Sequence, residues 1–435
     1  MSEETLRFPN GFLWGVAMHG DEENSTSGTS LRQAEHAPEP FGPAGARSTS
    51  EAFREDLSLL NSLGVNAYRF SLDWGHLEPE EGTWDVAAAE DYRRALGSLK
   101  AARIVPFVTL GHDTIPAWLA QRGGWESQVA EEAFEQYARR AVRSFGAYVR
   151  HWVTMNAPVL DTYRRYVAGV APPHVKSPRA ALRVCRNLVK AHVRAYHAMH
   201  DEAETMGSEV QVGLAKHYRA FDPVTNSSLL DRLTAIAFHY FFNDLVPNSL
   251  REGILAFPLG FNRYVPDMEG CLDFLGVNYL TRERVGWRPK HLKECFRALE
   301  YHIPGPASAR DIERETEGLY RLLEHVAGYG TPLYITESGI ATDNDELRCR
   351  FIACHLARLH DALEMAGDIR GYFYYSLTDG PDRRRDARGQ TGLVRLDGGD
   401  LELRIKPSGH LYGGICRENG LSPELLRRYC QNLSD

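Results

Sequence analysis

The sequence contains no run approaching the roughly 20 apolar residues that a helix needs to cross a bilayer, so no membrane span is expected. It opens Met-Ser-Glu-Glu-Thr, acidic where an export signal carries basic residues before an apolar stretch, so no secretory leader is expected. Cysteine is scarce and scattered: seven residues (185, 271, 295, 349, 354, 416 and 430), odd in number and never spaced C-x-x-C. That excludes a disulfide framework and a thiolate zinc site, and it points to reduced thiols in the cytoplasm. A basic surplus is also missing. Lys and Arg total 50 against 58 Asp and Glu, a net charge of −8, so the footprint that displaces counterions from nucleic acid is not there. No G-x-G-x-x-G or Walker sequence follows the first apolar run, which argues against a nucleotide loop.

What is present is ordinary globular composition, 43% hydrophobic and 25% charged, which excludes a disordered or fibrous chain. Eight short apolar runs recur along it: Phe12–Ala17, Val65–Ser71, Ile104–Leu110, His151–Thr154, Val210–Ala215, Leu272–Val277, Pro332–Thr336 and Gly371–Ser376. Rich in aromatic and β-branched residues and too short for helices, they read as buried parallel strands. Helical stripes lie between them. Ser177-Pro178 has the form of an N-cap followed by an N1 proline, opening an apolar stripe from Leu182 to Tyr196. Another runs from Ile312 to Val326 and stops at Gly328 and Gly330, and a third runs from Leu347 to Leu363.

A length of 435 residues would by default make two or three domains, but no linker divides the chain. Eight strands each followed by helical sequence predict one domain over residues 1–435, a single (β/α)8 TIM barrel with long βα loops; a doubly wound open sheet is the alternative. The polar stretch Glu22–Ser50 is expected to be one such loop.

Reactive side chains of such a barrel sit at the C-terminal ends of its strands. Those positions hold Arg69, His112, Asp113, Asn156, Asn278, Tyr279, Glu337 and Ser376 to Asp379. Together they suit a polyhydroxylated ligand, with Trp14, Trp74, Trp118 and Trp125 available to stack on sugar rings; the plainer reading is that each merely caps its strand.

The chain resembles glycoside hydrolase family 1, the β-glucosidase-like retaining glycosidases. The resemblance spans nearly its whole length, through FPNGFLWGVA at 8–17, NAYRFSLDWGHLEP at 66–79, VTLGHDTIPAWL at 108–119 and GGW at 123–125. It continues with WVTMNAP at 152–158, DFLGVNYL at 273–280, YITESGIA at 334–341 and YSLTD at 375–379. It implies a (β/α)8 barrel, a β-linked glycoside as small-molecule substrate, no cofactor, and two carboxyl groups about 5–5.5 Å apart. Glu337, in Thr336-Glu337-Ser338-Gly339, matches the family nucleophile; a structural ion pair is the other reading. Arg69 and Tyr279 match residues that flank that carboxylate, keep it ionised and orient it, and His112 and Asn156 match positions that hold sugar hydroxyls.

The second carboxylate is missing. The family's acid/base is the Glu of T-x-N-E-P, and here the segment reads Thr154-Met155-Asn156-Ala157-Pro158. Since alanine carries no proton, hydrolysis of an unactivated glycoside is expected to be impaired. Three explanations stay open: an engineered replacement, a natural loss like that of the plant thioglucosidases, which carry Gln there, or a sugar-binding protein without catalysis. Transfer to an acceptor other than water is a further alternative. Asp113 and Asp161 are the nearest substitute carboxyls, each otherwise a capping or solvated residue. Glu22 falls where the family has a sugar-binding Gln. After the eighth run, Tyr375 replaces a Trp, Asp382 a Glu and Arg383 a Trp. Arg383, Arg384, Arg385 and Arg388 suit an anionic sugar or simply a solvated loop. His192, His197 and His200 share one helix, but their spacing completes no metal set.

Overall fold

All eight runs form parallel strands in the computed structural model, which describes residues 4–18, 49–112, 114–287, 309–379, 390–396 and 403–430. They are β1 (Leu13–Ala17), β2 (Ala67–Ser71), β3 (Val105–Gly111), β4 (His151–Asn156), β5 (Gln211–Pro223), β6 (Phe274–Val285), β7 (Leu333–Ser338) and β8 (Ile369–Tyr375). Each pairs in parallel with the next, and β8 closes on β1, so the sheet is the expected eight-stranded barrel with helices outside it. Among the described residues no helix is long and apolar enough to cross a membrane.

Alternation along the strands sends every second side chain inward. Ala17, Ala67, Phe107, Val153, Ala215, Phe274, Tyr334 and Phe373 make the inner packed layer. The Phe107 ring sits among Tyr334 and Phe373, each 4.9 Å away between centroids, and Phe274 at 5.4 Å. Small residues make room for these rings. A Cβ on Gly15 would lie 2.3 Å from a Phe373 ring carbon, so only glycine fits there. This plug of side chains forms a floor, and polar inward-facing residues stand above it.

The helices follow their sequence signals. Ser177 caps the helix Pro178–Met206 by accepting the Ala180 N–H, and Gly207 at φ 63° ends it in the left-handed region that glycine tolerates. The stripes at 312–326 and 347–363 become the helices Ala309–Ala327 and Asp345–Ala366. The strands β5 and β6 run well past the apolar runs that announced them and stay paired to Pro223 and Val285. Their outer ends are polar, so no apolar signal marks them. The ladder persists through ion pairs, Arg219 with Glu283 at 3.2 Å and Arg282 with Asp222, under the helix Leu229–His239.

Candidate active site

Arg69 stands two residues beyond the inward-facing Ala67 on β2 and therefore points into the barrel above its floor. Its Nη1 donates to Glu337 Oε1 at 2.8 Å and to the Thr336 carbonyl at 3.0 Å, and Nη2 donates to Asn156 Oδ1 at 2.7 Å. Nε reaches Thr109 Oγ1 at 3.3 Å, and Nη1 lies 3.4 Å from Asn278 Oδ1. Both charged side chains are almost wholly buried, at 3% and 4% exposure. Burial pushes the Arg69 pKa down, and the neighbouring Glu337 charge opposes that shift.

Simple alternation would not place Glu337 here. Tyr334 and Thr336 face inward on β7, which assigns Glu337 to the outside. The register between β7 and β6 shifts between Ile335 and Glu337, and that irregularity brings Glu337 inward beside Thr336. The same device operates on β4, where a shift between Val153 and Asn156 turns Asn156 inward.

Asn156 is locked in orientation. Its Oδ1 accepts from Arg69 and also from Asn278 Nδ2 at 2.7 Å, so Nδ2 is the group that meets His112 Nε2 at 2.9 Å. His112 Nε2 therefore accepts, its proton sits on Nδ1, and Nδ1 donates to Ser71 Oγ at 2.8 Å. Ser71, His112, Asn156, Arg69 and Glu337 form one hydrogen-bonded chain across three strands, β2, β4 and β7, and the loop after β3. A cavity of about 190 Å³ opens beside it, bordered by His112, Trp125, Asn156, Asp161 and Tyr166.

Ala157, next after Asn156, sits at φ 45°, ψ 45°, in the left-handed region where a side chain costs about 1 kcal/mol. Its N–H donates to the Ala215 carbonyl at 2.8 Å, and it packs against an apolar cluster containing Leu160, Tyr163, Phe221, Phe238 and Phe242. Asp161 borders the cavity, but Arg165 Nε lies 2.7 Å from both of its carboxylate oxygens.

Tyr279 does not flank Glu337. Asn278 occupies the inward position of β6, so Tyr279 points outward, where its buried hydroxyl donates to the Glu315 carbonyl at 2.9 Å. Leu280, the next inward residue, packs with Ala341 and Tyr375 at the barrel mouth. Asp379 is likewise no ligand-facing group: it accepts from Lys406 Nζ at 2.7 Å and from the Gly392 N–H at 2.9 Å, tying a loop down. Trp14 and Trp74 are buried at 1% and 2% exposure and stack on no ligand surface, whereas Trp125 does border the cavity. Glu22, Asp113, Asp382 and Arg383 to Arg388 lie outside the described residues.

The three histidines of helix Pro178–Met206 meet separate partners. His192 is buried between Thr154 Oγ1 and the Cys271 carbonyl, His197 contacts the Asp267 carbonyl, and His200 pairs with Asp273 at 2.9 Å. Sequence reading passed over Ser71, Thr109 and Thr336 as members of the network. The signal for the first two is period two: each stands two residues beyond a residue that faces inward, Arg69 and Phe107.

Residues 4–421 match the family described as glycosyl hydrolase family 1. Beta-glucosidase A of Thermotoga maritima is 28% identical over 95% of this chain and 99% of its own. The structure of a beta-glycosidase from Pyrococcus horikoshii superposes with a TM-score of 0.83 at 31% identity, covering 98% of both chains. A family 1 β-glucosidase from Thermotoga maritima in complex with isofagomine lactam superposes with a TM-score of 0.80 at 26% identity, over 96% of this chain and 100% of the other.

Proposed function

The chain belongs to glycosyl hydrolase family 1, the β-glycosidase hydrolases, and from that premise we propose a retaining mechanism in which Glu337 is the nucleophile and Ala157 stands where a general acid/base would act. The observation that carries this reading is the buried Arg69–Glu337 pair at 2.8 Å, placed at the barrel mouth by a register shift in β7. A carboxylate held there by a fixed guanidinium is oriented for attack without reorganisation of solvent.

In the first step a Glu337 oxygen bonds to the anomeric carbon while the bond to the aglycone oxygen breaks, and the electron pair leaves with the aglycone. His112 and Asn156, fixed by their shared hydrogen bond at 2.9 Å, are positioned to hold sugar hydroxyls. Without a proton donor at position 157 the aglycone departs as an anion. General acid catalysis is worth about 10²–10⁴-fold, or about 3–5.5 kcal/mol of barrier. Substrates with acidic leaving groups are therefore expected to react, and unactivated sugar ethers are not. The apolar cluster around Ala157 supports an aromatic aglycone on that side. Asp161 is a poor substitute acid because Arg165 holds its carboxylate. In the second step, water that attacks the glycosyl-enzyme lacks a base at position 157. A small anionic nucleophile needs none.

The test is an activated aryl β-glycoside with and without azide. Expected outcomes are slow turnover in water, faster release with azide giving a β-glycosyl azide, and loss of both in Glu337→Gln. Ala157→Glu should raise kcat on a poor-leaving-group substrate by about 10²–10⁴-fold. If neither azide nor Ala157→Glu yields product from any of a panel of sugars, the hydrolytic mechanism fails and sugar binding without catalysis takes its place. Sugar moved to an added alcohol in preference to water identifies a transglycosidase.

A further inference from the structure

Away from the Arg69–Glu337 pair, the helix Leu229–His239, the turn that continues it and the helix Ala309–Ala327 bring three side chains together. We propose that His239, Asp244 and His325 form a binding site for a divalent transition-metal ion of the zinc class, independent of the glycosidase centre.

The geometry of the donor atoms carries this. His325 Nε2 lies 2.8 Å from Asp244 Oδ1, and His239 Nε2 lies 3.6 Å from the same oxygen and 3.4 Å from His325 Nε2. A tetrahedral ion with ligands about 2.0–2.1 Å away sets its donors about 3.3 Å apart; the 3.4 and 3.6 Å sides of this triangle lie close to that, and the 2.8 Å side widens once the ion replaces its hydrogen bond. The two imidazole rings stand 78° apart, so they approach the common point from different directions. Two imidazoles and one carboxylate suit zinc, nickel or copper, whereas calcium and magnesium prefer all-oxygen sets. Three protein ligands leave a fourth position for water.

The backbone supplies a second, independent observation. His239 and Asp244 are five residues apart, and in an ordinary α-helix that separation turns them about 140° away from each other. Tyr240–Asp244 is instead a wide π-helical turn, which closes i to i+5 and sets Asp244 beneath His239. Such turns interrupt helices frequently at functional sites. Tyr329 Oη donates to Asp244 Oδ1 at 3.0 Å, a contact that would orient the carboxylate from the second sphere. Entry is open: the His239 and His325 side chains are 33% and 40% exposed.

Two contacts must yield. The Asn243 carboxamide pairs with both backbone groups of Arg219, through its Oδ1 at 3.2 Å and its Nδ2 at 2.8 Å. That Nδ2 also donates to His239 Nδ1 at 3.1 Å. The His239 proton thus sits on Nε2, and ligation there moves it to Nδ1, which must turn from Asn243. His325 Nε2 likewise donates to Asp244 Oδ1 at 2.8 Å, so its proton too must leave Nε2 before that nitrogen can ligate; Asp244 is the ligand already in place.

The bound ion would clamp the helix Ala309–Ala327 to the π turn. The experiment uses the full chain, dialysed against chelator and titrated with Zn²⁺ by calorimetry and with Co²⁺ by visible absorption. Expected are one Zn²⁺ per chain, an intense tetrahedral Co²⁺ spectrum, and at least tenfold weaker Zn²⁺ binding in His325→Ala and in His239→Ala. His410→Ala, at an exposed histidine on another helix, should bind like the parent. The proposal is overturned if the parent takes up no stoichiometric Zn²⁺, or if both alanine variants bind it as tightly as the parent. Should either variant fail to fold, the parent's Co²⁺ spectrum decides, and an octahedral spectrum refutes the site.

Discussion

Replacing Arg69 with methionine tests whether the buried ion pair is what organises the barrel mouth. Methionine fills the aliphatic stem but offers no donor, so Glu337 Oε1, the Thr336 carbonyl and Thr109 Oγ1 each lose the bond that Arg69 supplied. Asn156 Oδ1 keeps its bond from Asn278 Nδ2 at 2.7 Å and is less affected. Glu337 is then a carboxylate at 3% exposure with no counter-charge, and breaking a buried pair from one side costs about 3–5 kcal/mol. Glu337→Gln strands the guanidinium instead, at the lower end of the same range because the amide oxygen still accepts its bond. The double variant carries neither charge. Its destabilisation should therefore fall short of the sum of the two single effects by about 2 kcal/mol, within the usual range for residues in direct contact. Urea unfolding of all four proteins at pH 7, compared at equal m, measures this. If the two costs add to within about 0.5 kcal/mol, the pair is not coupled and the electrostatic account of the site is wrong.

Two further predictions concern the scaffold. Phe107→Ala empties the centre of the barrel floor and should destabilise by about 3–5 kcal/mol; a loss under about 1 kcal/mol in urea unfolding would show that the floor collapses around the gap. Burial holds His151 and His192 near a pKa of about 4 and His355 near about 3, whereas in the unfolded chain each titrates near 6.5. Below 6.5 the unfolded state takes up protons that the folded state refuses, so stability falls as pH drops from about 6.5 to 4. At about 1.4 kcal/mol per unit, His192 alone contributes about 3 kcal/mol of that loss. A urea midpoint unchanged between pH 7 and pH 4.5 would contradict it.

The eight strands were legible because strands covered on both faces leave continuous apolar runs. The outer halves of β5 and β6 were not, since Lys216 to Arg219 and Arg282 to Arg284 carry no apolar pattern and are held in the ladder by cross-strand ion pairs. In the site, Arg69 and His112 could be found from their places at strand ends. Tyr279 could not be told from Asn278 as the inward residue, because two adjacent polar residues at a strand end fit either phase of an alternating pattern. The partners of Trp14 and Trp74 were hidden for a similar reason: an aromatic residue in or beside a strand looks the same whether it packs on other rings, as Trp14 does on Phe8 and Phe12 and Trp74 on Tyr137, or faces a ligand.

The chain's own residues determined which elements form, because hydrophobic periodicity and helix caps are local properties. They also determined that position 157 carries no proton donor, since that depends on one residue's chemistry and on no contact. Tertiary structure alone decided which polar groups meet. Glu337 and Asn156 face inward through register shifts against β6 and β5, and a shift is set by hydrogen bonds to a neighbouring strand that one strand's sequence does not contain.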